Sequence, residues 1–413
     1  MANVSSSNGL KKCPKLRFLG FDEPWNAIKL SEIGQAGNGI GFPDTYQGEE
    51  TTEIPFYKVS DMNLPLNTTT MKQANNYVSK STVAKLKAHP FSQDAIIFAK
   101  VGAAILHERK RIAQSPFLID NNMMAFTPKE HEDIDFIYHL FQKLKLSKYV
   151  QVGALPSYNA SDILDIRTFY PASCIERSKI VAFLNLLSMR IEKQTEILSC
   201  LKKYKRGFIS GMLNQKFAIT HEEENWEEVS LSDVAEGFEY GINAAATNFD
   251  GVHKYIRITD IDDDSHTYLD GDPVSPSGVF EDKYRVKEND ILFARTGASV
   301  GKSYLYQETD GDLFFAGFLI RIHVKDGVDS GYVFLNTLTE EYNKWVLLES
   351  ARSGQPGINA EQYKRYRFKL PSLKTQKRLS VIMRKMDERL NKESIYLRFL
   401  QNQKHGLLQQ LFI

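Results

Sequence analysis

The sequence predicts an α/β (mixed α+β) fold class: two similar globular units separated by two long helices, which form an antiparallel coiled coil with an internal pseudo-two-fold. Three observations predict it. Residue pairs recur at a displacement of 200 in the 413-residue chain: Pro156 with Pro356, Asn159 with Asn359, Ala160 with Ala360 and Pro171 with Pro371. Behind each second proline runs an apolar seam with alternating spacings of 4 and 3, the coiled-coil period. Short β-rich runs fill the remainder of each unit, bounded by Gly, Asn and Asp turns.

In chain order, residues 1–18 are polar and lysine-bearing and read as a flexible lead-in. The first globular unit spans 19–171. Within it IPFYKVSDM (54–62) and IIFAKVGA (96–103) read as strands, and DIDFIYHLFQKLKLSKYV (133–150) reads as helix. The first long helix occupies 172–217, with seam residues Ile180, Leu184, Leu187, Ile191, Leu198 and Leu201, continuing through Phe208 and Met212. The second unit, 218–371, answers with KYIRITDI (254–261), ILFARTGA (291–298) and the helical SGYVFLNTLTEEYNKWVLLES (330–350). The second long helix, 372–413, carries Leu379, Met383, Met386, Leu390, Leu397 and Leu400, then Leu407 and Leu411, displaced by 199 from the first seam. Gln194 and Glu393 interrupt both seams at one shared position, Lys205 and Lys404 at another. Prolines precede both helices, where helix starts are favoured. About forty residues at 1.5 Å rise make a rod of roughly 60 Å, against about 34 Å between successive major-groove faces of DNA.

Composition bounds the function. Hydrophobic residues make up 42 % and charged residues 25 %, ordinary values for a globular protein. The three cysteines (Cys13, Cys174, Cys200) show no C-x-x-C spacing, so neither a disulfide framework nor a zinc site is indicated, and a cytoplasmic location fits. The longest apolar run, Leu313 to Ile320, is too short to span a bilayer, so a membrane is not an expected partner. A net charge of +1 hides unevenness: residues 171–217 and 371–413 each carry nine Lys/Arg against three Asp/Glu, leaving the rest acidic. Any contact with an anionic polymer must therefore be local.

The layout resembles the specificity (S) subunit of type I restriction-modification enzymes. The resemblance is carried by PKLRF-x-GF-x-x-x-W (14–25), the Asn-Ala pairs, the prolines at 171 and 371, and the helix ends KYKRGFISGMLNQKF (203–217) and NQKHGLLQQLF (402–412). It covers the chain from about residue 14 onward. Two positions depart from the pattern: Glu176-Arg177 and Thr375-Gln376 stand where a Glu-Gln pair is usual. The resemblance implies a non-catalytic chain whose two target recognition domains each read one half of a bipartite, asymmetric site on double-stranded DNA. It implies that the helices set the spacing and dock two methyltransferase (M) subunits, and through them the restriction motor-nuclease (R) subunits. No cofactor is expected on this chain; S-adenosylmethionine, ATP and Mg²⁺ belong to the partners.

Several local patterns compete with that reading. Gly297-Ala-Ser-Val-Gly301-Lys302 has three residues between glycines where a P-loop needs four. It reads better as a glycine-bearing loop from which Arg295 and Lys302 reach DNA, with Lys100 as the counterpart in the first unit. Asp272, Glu281 and Lys283 have the form of a Mg²⁺-nuclease signature, the alternative of a self-sufficient nuclease, but stand in a Gly/Pro/Ser-rich stretch. A second alternative is a coiled-coil scaffold without a DNA role. Two basic loops complete the candidates for DNA contact: Arg109, Lys110 and Arg111 in the first unit, Arg352 and Gln355 in the second, since arginine can pair with guanine and glutamine with adenine. Asn159 and Asn359, being duplicated, read as structural caps.

Overall fold

The computed structural model describes residues 2–3, 13–48, 53–151, 155–213, 225–351 and 355–413. The chain divides into two compact units, Met1–Glu196 with Ile395–Ile413, and Ile197–Ser394.

The first unit is built on a four-stranded antiparallel sheet in the order Gly34–Asn38, Met123–Pro128, Ala95–Ala99, Lys110–Ala113. Ala95–Ala99 is buried along its whole length, as a central strand covered on both faces must be. Alternation divides its side chains. Ile96 and Phe98 join Phe126, Leu140 and Phe141 in one core, while Ala95 and Ile97 join Met123, Phe117 and Met62 in another. The helix Ile134–Lys143 lies in the first of these cores, with Phe136 to Phe141 all buried. A two-stranded sheet, Asn26–Lys29 with Arg167–Tyr170, closes the unit beside Trp25.

The second unit repeats this plan. Its sheet runs Ala235–Tyr240, Leu319–Val324, Asp290–Ala294, Ser303–Leu305, the same spatial order, and its small sheet pairs Glu227–Ser230 with Arg367–Leu370. Both IPFYKVSDM and KYIRITDI are strands for only their first half. Ile54–Tyr57 and Lys254–Ile256 each give way to a 3₁₀ turn, because Asp61 and Asp260 accept the backbone N–H of Lys58 and Arg257, both at 2.8 Å. Residues 330–350 form two helices, Ser330–Asn336 and Glu340–Ser350. Thr339 restarts the second by accepting the N–H of Tyr342 at 3.0 Å.

The long helices are Cys174–Leu213 and Leu373–Leu411. In the first unit Ile180 and Leu184 share a core with Leu408, Leu411 and Phe412; in the second, Ile209 and Met212 share one with Leu379 and Met383. Within the first unit Arg190 lies over Tyr396, and within the second Lys205 pairs with Asp387, so in each unit position rises along one helix as it falls along the other and the pair is antiparallel. Leu187, Ile191, Leu198, Leu201, Met386, Leu390 and Leu397 are half-buried and Leu400 is buried, whereas Leu186, Met189, Tyr204 and Phe399 point to solvent. Residues 214–217 lie outside the described residues.

The lead-in departs from expectation. Residues 13–18 are anchored: Arg17 is buried, and its guanidinium donates twice to Glu176, at 2.7 and 2.9 Å. Trp25 donates to the same carboxylate at 3.3 Å. No helix among the described residues is long and apolar enough to cross a membrane.

Candidate nucleic-acid interface

Pro156 and Pro356, the repeated asparagines and the cations Lys100 and Arg295 all meet at one place, the end of the central strand in each unit. There the backbone is held by matching hydrogen bonds. In the first unit Gly102 N–H donates to Pro156 O at 2.8 Å and Lys100 N–H to Asn122 O at 2.8 Å, while Lys100 O accepts from Tyr158 at 3.4 Å. In the second, Gly297 N–H donates to Pro356 O at 3.0 Å and Arg295 N–H to Phe318 O at 3.1 Å, while Arg295 O accepts from Ile358 at 2.9 Å. Gly102 and Gly297 both have φ of +77°, a conformation glycine adopts without strain. The last carbonyl of each strand, Ala99 O and Ala294 O, accepts a buried tyrosine hydroxyl, from Tyr158 and Tyr363 respectively. Asn159 and Asn359 are the N-caps of the short helices that follow, the structural role anticipated for them.

On this shared frame the side chains differ. Lys100 Nζ donates to Asn38 Oδ1 at 3.0 Å, whereas the Arg295 guanidinium lies over the Tyr240 ring, 4.8 Å from its centroid. Asn38 and Tyr240 are equivalent, since each precedes a glycine packed against backbone, Gly39 on Asp120 O and Gly241 on Phe315 O. Beside Gly102 sits Leu155, and beside Gly297 sits Gln355, both exposed. Neither Lys100 nor Arg295 is paired with a carboxylate among the described residues. That leaves both cations available to an external anion or base edge.

Three other candidates are corrected. Lys110 is 2 % exposed, bonded to Glu108 and to Leu144 O at 2.9 Å, and burial pushes its ammonium below the usual lysine range. Burial pushes Glu108 up, but bonds from Lys110 and Ser147 outweigh this and hold it low. Removing Lys110 from that enclosure would take the counter-charge from half-buried Glu108, so it does not reach DNA. Arg111 is tied to Asn67 O at 2.7 Å and Lys110 O at 2.9 Å, and burial lowers its pKa. Lys302 holds Ile261 O at 3.0 Å and pairs with Asp263 while largely covered, so it pins a loop of its own unit. Arg109 is half-buried with no carboxylate partner among the described residues and stays a candidate. Arg352 lies outside the described residues.

The loop Gly297–Lys302 has no free cradle of N–H groups: those of Gly297, Val300, Gly301 and Lys302 all donate to backbone carbonyls. Glu281 and Lys283 pair with each other at 2.7 Å on an exposed turn, and no cluster of three or more His, Cys, Asp or Glu placed to hold a metal occurs among the described residues.

Asn38, Tyr240 and Leu155 were missed in the sequence. The available signal was positional: Asn38 and Tyr240 each precede a Gly-Ile pair, and Leu155 and Gln355 each precede a duplicated proline.

A family model described as the type I restriction modification DNA specificity domain matches the chain twice, over residues 22–209 and 223–396. The fold is similar to the crystal structure of a type I restriction-modification system S subunit from M. genitalium, at 12 % identity and a TM-score of 0.57, covering 97 % of this chain and 99 % of that one. It is also similar to a structure solved to explain complex assembly and conformational transition of the type I R-M system, at 15 % identity and a TM-score of 0.54, covering 94 % and 97 %. Among curated proteins no sequence matches.

Proposed function

The chain belongs to the type I restriction modification DNA specificity family, and on that premise we propose that its two recognition domains read the two unlike halves of a bipartite site on duplex DNA. The observation that carries this is the pair of matching frames with unlike exposed side chains: Lys100, Asn38 and Leu155 in one unit, Arg295, Tyr240 and Gln355 in the other. A frame that repeats while its presented residues change fits two readers of different sequences.

The long helices supply the dock for two methyltransferase subunits, and through them for the motor-nuclease subunits. In support, Leu186 and Met189, three residues apart on the first helix, are each more than half exposed, an apolar outer face that a partner would cover. S-adenosylmethionine, ATP and Mg²⁺ act on those partners, and this chain contributes position and sequence choice.

Affinity purification from the source cells tests the reading. The chain is expected to bring down an adenine methyltransferase, and the complex to retain one bipartite duplex over scrambled competitor at physiological salt. A chain that binds no methyltransferase, or a complex indifferent to sequence, contradicts it.

A further inference from the structure

The equivalent frames put residues of different recognition chemistry at one geometric position, and this extends the proposed function to individual base pairs. Arginine presents a planar fork that matches the O6 and N7 acceptors of guanine, and an amide matches N6 and N7 of adenine. The Arg295 guanidinium rests over the Tyr240 ring, 4.8 Å from its centroid, which restricts where the fork can lie, and the Tyr240 hydroxyl accepts the Ala360 N–H at 3.2 Å. Gln355 lies against Gly297, its Nε2 3.2 Å from where a Cβ there would stand, two residues after Arg295. The corresponding position in the first unit offers Leu155, which has no hydrogen-bonding group and suits the methyl of a thymine.

We propose that Arg295 and Gln355 are specificity-determining residues of the second unit, reading a guanine and an adenine in its half-site, with Tyr240 as the positioning residue for Arg295. The proposal rests on the DNA-reading function above. Its point is that this half-site is chosen by purine edges, whereas the first unit's equivalent position, Leu155, offers no hydrogen bond to a purine.

The test uses the full chain bound to its methyltransferase subunits and a pool of random duplexes, from which bound sequences are selected and read. With Arg295→Ala one guanine position is expected to relax, discrimination falling about 5- to 150-fold, while Gln355→Ala relaxes a separate adenine position. The other half-site stays as in the wild type. Tyr240→Ala relaxes the same guanine as Arg295→Ala, and Tyr240→Phe, which keeps the stacking face, restores it. Gln355 is exposed, so its variant reports even if the Arg295 change lowers solubility.

Folded variants that select the wild-type motif unchanged overturn the assignment and leave the DNA-reading function standing. A uniform loss of affinity without relaxation at any position overturns it too, because it marks phosphate contacts. A wild-type complex that enriches no motif removes both.

Discussion

The two units solve the same packing problem with different chemistry. In the first, the start of the long helix is held by charge: Glu176 takes Arg17 and Trp25, and Arg177 donates to Asp133 at 2.7 Å. In the second, neutral groups stand there: Gln376 accepts the N–H of Asp329 at 2.9 Å and donates to Pro371 O at 2.8 Å. On the strand beside the candidate interface, the first unit has buried Lys110 with Glu108 where the second has buried Ser303, whose hydroxyl meets that of Thr337 at 2.6 Å. The seam lysines differ as well, since Lys205 pairs with Asp387, while Lys404 has no acid partner among the described residues. The tyrosine hydroxyls that close the central strands come from non-equivalent positions, 158 and 363. What is held constant is backbone geometry, and interior side chains are interchangeable means to it.

The comparison can be broken most forcefully where the units agree. A Cβ on Gly39 would stand 1.7 Å from Asp120 O, and one on Gly241 2.2 Å from Phe315 O. Gly39→Ala and Gly241→Ala are therefore each expected to cost more than about 3 kcal/mol, beyond ordinary overpacking. Circular dichroism melts checks this, and a tolerated substitution in either unit removes the close approach from the shared frame.

Where the units differ, Glu176→Ala leaves Arg17 buried without its counter-charge and is expected to cost about 3–5 kcal/mol. Gln376→Ala, which removes the neutral anchor at the start of the second long helix, should cost about 1–2 kcal/mol. Urea unfolding compares them, and equal costs erase the contrast between charged and neutral anchoring.

Lys404 sharpens the contrast through pH. Burial, with Arg111 nearby, pushes its ammonium down to about 8 from 10.5. Above pH 8 the unfolded chain keeps a proton that the folded chain has shed, so stability rises between pH 8 and 10.5. Lys404→Met should abolish that rise and stabilise the protein at pH 7 by roughly 1 kcal/mol or more. Lys205→Met, which gives up an ion pair with the half-exposed Asp387, should change stability by about 0–1 kcal/mol. A flat profile in the wild type contradicts this account. On the acid side, burial lowers His139 to about 4 from 6.5, opposed by its 2.7 Å bond to Asn185. Stability should fall as pH drops from 6.5 towards 4, and His139→Gln should blunt the fall.

The smallest effects concern the exchanged tyrosines. Tyr158→Phe and Tyr363→Phe should each cost about 1 kcal/mol by removing one buried hydrogen bond to a strand carbonyl. Thermal melts that show a cost in only one unit would mean the two hydroxyls are not equivalent devices.

The seams were legible because a coiled-coil stripe is a property of spacing alone, and all twelve chosen positions are buried or half-buried. The duplicated prolines and asparagines were legible as anchors for the same reason. Charge was a poorer guide. HERKR reads as a basic loop, yet Lys110–Ala113 is a strand whose pairing with Ala95–Ala99 turns Lys110 inward. Lys302 looked free because Asp263 and Ile261 O, its partners, are some forty residues away in sequence. Tyr240 and Asn38 gave only a positional signal, the Gly-Ile pair that follows each, since their role depends on strands brought together from distant parts of the chain.

The central claim is that two unlike units read two unlike half-sites. Base-resolution mapping of N6-methyladenine in source cells with and without this chain tests it most directly. The account predicts that one bipartite motif with different halves disappears when the chain is removed; unchanged methylation, or loss of a motif with two identical halves, would contradict it.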